Sequence, residues 1–91
     1  MSQYEVRFFT KNDKGTVLSV PQEASTAMEA AALGLHHFHH FLGTPIAGEM
    51  TLDVSGPVSG GVSSERVTVR DILYWLNNDG HTFKKNNHLT F

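Results

Sequence analysis

At 91 residues, 40% of them hydrophobic, the chain can build one core and little more, which disfavours a deep catalytic cleft. Seven basic residues against nine acidic ones, a formal net charge of -2, argue against a dedicated polyanion binder and equally against a polyanionic DNA mimic. Cysteine is absent, so disulfides and thiolate zinc sites are excluded.

Residues 4–10 read as a strand of aromatic and β-branched types, with Tyr4, Val6 and Phe8 on one face and Glu5, Arg7 and Phe9 on the other. Asn12, Asp13, Lys14 and Gly15 carry a turn signal. Residues 16–20 then return as a second strand, which Pro21 is expected to end. Thr26 and Glu29 have capping-box spacing at the start of an alanine-rich helix. Its apolar arc collects Ala27, Met28, Ala31, Gly34, Leu35, Phe38, Phe41 and Leu42. Gly34 inside that arc predicts a close approach of helix and sheet, and Gly43 with Pro45 predicts the stop.

Residues 49–54 alternate, with Met50, Leu52 and Val54 inward. The Gly/Ser-rich run 55–64 is expected to be a mobile loop. It lacks the Gly-Lys-Ser/Thr ending of a phosphate-binding loop. Thr68 with Asp71 opens a second helix, with Val69, Ile72, Leu73 and Leu76 as its buried stripe and Gly80 at its end. A strand over 65–70 running straight into that helix is compatible with the same residues. The tail, 81–91, holds Phe83, Leu89 and Phe91 around a polar Lys-Lys-Asn-Asn centre and is read as a last hairpin or a docked extended segment. The fold class is therefore α+β over one domain, 1–91: a small, mostly antiparallel sheet with two helices on one face, in the order β-β-α-β-(β)-α-β.

The run His36-His37-Phe38-His39-His40 is the unusual feature. On a helical wheel His36, His39 and His40 lie together, opposite the apolar arc. They read first as a solvated helix face or part of a protein interface. The alternative is a metal site for zinc or another transition metal on the same three residues. Adding His39 to His36 and His40 crowds one turn, so a third ligand would more naturally come from His81, His88, Asp53 or a second chain, and the glutamate of the His-Glu-x-x-His motif is replaced by His37. No Gly-x-Ser-x-Gly nucleophile elbow is present. Tyr74 falls on the outer side of the second helix, where exposed aromatics serve as binding hot spots. Trp75 is expected to pack at the core edge. Lys84 and Lys85, with Arg70 and nearby aromatics, offer a modest basic patch that a single-stranded nucleic acid would use.

The first reading is a non-catalytic protein-interaction module without a cofactor. Its partner-binding residues are His36, His39, His40, Tyr74, Lys84 and Lys85. A homodimer is one form it would take. A phage or mobile-element accessory protein that inhibits a host complex, in the manner of an anti-CRISPR protein, suits the size and style. The metal-binding protein and a weak nucleic-acid-binding accessory protein are the alternatives. The start Met1-Ser2-Gln3-Tyr4-Glu5 lacks the basic and apolar regions of a signal peptide, and no apolar run approaches bilayer length. A cytoplasmic location, away from membranes, is the expectation.

Overall fold

The computed structural model describes residues 2–9, 18–42, 50–56 and 63–89. Its elements are β1 (Ser2–Phe9), β2 (Leu18–Ala24), α1 (Ala27–Leu42), β3 (Thr51–Gly56), β4 (Ser63–Thr68), α2 (Val69–Asn77) and α3 (His81–Asn86). The strands form one four-stranded sheet in the order β2-β1-β3-β4, with every neighbouring pair antiparallel. β1 is thus central although it comes first in the chain. The α+β class and the mostly antiparallel sheet follow the sequence expectation.

Alternation sets the two faces. Tyr4, Val6 and Phe8 of β1 and Leu52 and Val54 of β3 are buried, in register as Val6 with Val54 and Phe8 with Leu52. α1 covers this face, with the Phe38 ring 5.4 Å from Phe8. The opposite face is polar at its centre. Arg7 donates to Ser55 Oγ at 3.1 Å and pairs with Asp53 at 3.4 Å, and Ser64 Oγ donates to Asp53 at 3.0 Å. α2 packs against α1 and β4, and α3 against α2.

Local chemistry accounts for the helix starts. Glu29 N–H donates to Thr26 Oγ1 at 3.2 Å, and Glu29 Oε1 accepts from the Ser25 N–H at 3.1 Å, so the capping box closes one residue further out than its usual form. Asp71 N–H donates to Thr68 Oγ1 at 3.1 Å. β4 ends at the same Thr68 that caps α2, so strand and helix run together without a loop.

Three expectations are corrected. Pro21 does not end β2, which continues to Ala24. β2 lies at the sheet edge, where a residue without an N–H costs no ladder bond on its open side. The expected loop 55–64 is shorter, since β3 reaches Gly56 and β4 starts at Ser63. Its centre, with the turn at 12–15, the stop at 43–45 and Phe91, lies outside the described residues. The tail is not a strand or extended segment over 81–86 but the short helix α3. His81, Lys84, Lys85 and His88 recur at i, i+3, i+4 and i+7, a helical period that the alternation of Phe83, Leu89 and Phe91 obscures.

The close approach predicted at Gly34 is present. A β-carbon there would stand 2.6 Å from Val6 Cγ1 and 3.0 Å from Val6 Cβ. Gly34→Ala gains about 1 kcal/mol of helix propensity, but overpacking of this type costs about 1–3 kcal/mol. Val6 is fully buried and has no room to retreat. Urea denaturation is expected to show net destabilisation of about 1 kcal/mol in the native background, from those two opposing effects. In a Val6→Ala background the same substitution should become stabilising. A stabilising effect in the native background would mean that helix and strand are not in contact here.

Candidate functional site

α1 places the histidines. Ala30, Ala31 and Ala32 are all fully buried, so the covered arc of the helix is wider than the wheel's apolar stripe implies. Consequently His36 and His39 are half-buried, while His37 and His40 remain exposed. The expected solvated face is therefore only partly so. The His36 and His40 rings stand edge to face with centroids 4.4 Å apart, and His39 and His40 are 5.8 Å apart. Two imidazoles on adjacent turns can share one metal ion. Among the described residues no group of three or more His, Asp or Glu is placed to complete such a site. Of the further ligands considered, Asp53 is engaged by Arg7 and Ser64 on the sheet face away from α1. His81 and His88 belong to a different constellation, built by α2 and α3.

α2 buries Val69, Ile72 and Leu76. Leu73 is only half-buried. This rotation turns Arg70, Tyr74 and Asn77 outward, one turn apart along one face. Tyr74 is 71% exposed and is the one exposed large hydrophobic side chain among the described residues. Trp75 packs at the core edge as expected, its ring 5.7 Å from Phe83. Asn78 Nδ2 donates to the Tyr74 carbonyl at 2.7 Å and helps close the end of α2.

The chain reverses through residues 78–80 and enters α3. Between α2 and α3 lies an open hollow of about 480 Å³ lined by Asn77, His81, Lys84, Lys85, His88 and Leu89. Its floor is fixed by the end of α3. Leu89 N–H donates to the Lys84 carbonyl at 3.1 Å and His88 N–H to the Lys85 carbonyl at 3.3 Å. This is the hydrogen-bond pattern of a Schellman cap, in which the position of His88 is usually glycine. His88 holds φ at 53° and Leu89 is buried.

The contacts therefore resolve two groups among the sequence-predicted residues. His36, His39 and His40 sit together on α1. Lys84 and Lys85 share the hollow, whose Asn77 is one turn from Tyr74. Sequence reasoning did not assign Asn77, His81, His88 or Leu89 to a site with the lysines. The spacing of 81, 84, 85 and 88 was the signal that could have found the two histidines. No helix among the described residues is long and apolar enough to cross a membrane. No protein-family model, curated protein or solved structure matches this chain.

Proposed function

We propose that this chain is a non-catalytic protein-interaction module that presents the outer face of α2 and the adjoining α3 surface to another protein. The observation that carries this reading is Tyr74, 71% exposed on a helix whose other face is anchored in the core. A solvent-facing tyrosine on an anchored helix offers large contact area with few rotatable bonds, and tyrosine is over-represented among binding hot spots. The arrangement of charged and polar groups around it suits a partner surface better than an enclosed substrate. An accessory role in inhibiting a host complex, in the manner of phage-encoded inhibitors, is compatible with the small size and near-neutral charge.

Affinity capture from a lysate of the native host, read by mass spectrometry, tests the proposal. The wild-type chain should retain a stoichiometric protein partner with or without chelator. Tyr74→Ala should weaken that complex by about 2 kcal/mol, roughly thirtyfold, as expected of an aromatic hot spot. A partner bound equally well by Tyr74→Ala would remove the observation on which the reading stands. A partner lost only with chelator would transfer the interface to His36 and His40.

A further inference from the structure

We infer that the hollow between α2 and α3 is the seat for an acidic segment of the protein partner. The inference rests on the interaction-module reading and names the chemistry of the partner at that surface.

The formally charged groups of the lining are all of one sign. Lys84 and Lys85 contribute two ammonium groups, His81 and His88 two imidazoles, and no carboxylate belongs to it. Neither lysine forms an ion pair among the described residues. Two lysines gathered at one hollow with no ion-paired carboxylate among the described residues favour an external anion. Leu89 supplies an apolar floor and Asn77 a neutral hydrogen-bonding side chain, which suit aliphatic stems and backbone amides as well as carboxylates.

His88 adds an independent observation. Its backbone is in the left-handed region at φ 53°, where glycine is the easier occupant. A histidine in that strained position holds an imidazole at the rim of the hollow. Shape then selects among anions. The hollow is open, with Lys85, His81 and His88 exposed, so it cannot enclose most of a small ligand's surface. An extended polyphosphate would have to run beyond the hollow across a chain of net charge -2, with Asp71 and Asp79 exposed on α2 and the following turn. A short acidic peptide segment needs only the local cations, and Tyr74 lies one turn from Asn77 to anchor what flanks it.

The test is an amide-resolved NMR titration of the full chain at about 0.15 M salt. The probe is a short glutamate-rich peptide, with its glutamine counterpart and a thymidine oligonucleotide as comparisons. The expected result is saturable shifts at His81, Lys84, Lys85, His88 and Leu89 with the glutamate peptide, absent with the glutamine peptide. Lys84→Glu/Lys85→Glu should weaken them roughly tenfold or more. The milder Lys84→Gln/Lys85→Gln variant guards against a folding defect, and shifts elsewhere in the spectrum report whether either variant is intact.

No shifts at these residues, equal responses to the two peptides, or tighter binding of the oligonucleotide there would overturn the inference. It would also fall if a partner captured from lysate were lost with Tyr74→Ala yet retained by Lys84→Glu/Lys85→Glu. That outcome would leave the module reading standing. Groove-specific peptide binding alongside a captured partner indifferent to Tyr74 would do the reverse.

Discussion

Phe38→Ala is expected to remove about 3–5 kcal/mol of unfolding free energy. The Phe38 side chain is 1% exposed, and its ring meets that of Phe8, also 1% exposed, at a tilt of 43°. Truncation removes this aromatic contact and leaves a cavity between α1 and the centre of the sheet. Neither the helix, packed across three strands, nor β1, paired on both edges, can collapse to fill it. Total stability of a small domain is about 5–15 kcal/mol. The variant should therefore be close to the unfolding threshold, with its urea midpoint shifted far more than its m-value. A loss under about 1 kcal/mol, the size of an ordinary surface substitution or little more, would mean that Phe38 does not seat α1 on β1.

Gly56→Ala is expected to cost about 3 kcal/mol, by two routes. The first is backbone conformation. Gly56 has φ 150°, which side-chain-bearing residues rarely adopt. The second is space. A β-carbon would stand 2.7 Å from Tyr4 Cδ1, 2.9 Å from the Gln3 carbonyl oxygen and 3.2 Å from Tyr4 Cα. Two of those three contacts are backbone atoms of the neighbouring strand and cannot rotate away. Tyr4 in turn covers the glycine with its ring, the cross-strand arrangement in which an aromatic compensates a missing side chain. Thermal unfolding of Gly56→Ala in a Tyr4→Ala background isolates the part due to the ring. The ring clash disappears there, while the cost of φ and of the carbonyl contact remains. Equal stability of Gly56→Ala and the native chain would show that β3 does not end in this conformation.

Whatever depended on near neighbours could be read from the residues. The caps at Thr26 and Thr68 were legible because each is a bond across three positions. The alternation of Thr51, Leu52, Asp53 and Val54 was legible because β3 buries only one of its faces. Gly34 signalled its contact because an interior helical glycine needs a reason. Pro21 misled because its tolerance depends on β2 being an edge strand, a fact of sheet order that no local window holds. The tail misled because Phe83, Leu89 and Phe91 fit alternation, whereas the helical period is carried by the polar residues His81, Lys84, Lys85 and His88. The reversal after α2 hid the hollow. Tyr74 could be placed outward from the period of α2 alone, whereas grouping Asn77 with Lys84, Lys85 and His88 needs both helices. The histidine wheel was right about neighbours and too generous about exposure, because three consecutive buried alanines widen the covered arc of α1.

The central position of the first strand has a consequence during synthesis. β1 can form its hairpin with β2 early, but its other edge has to wait for β3, whose register begins with Phe9 opposite Thr51. At translation rates of 5–20 residues per second this interval is roughly 2–10 s. Through it the nascent chain carries an unpaired edge whose side chains include Tyr4, Val6 and Phe8, a ready template for wrong partners. α1 is made within the same interval and lies on the β1–β2 hairpin in the finished fold. In the finished fold α1 covers those same side chains, so the face of β1 that most needs protection during synthesis is the one this helix buries.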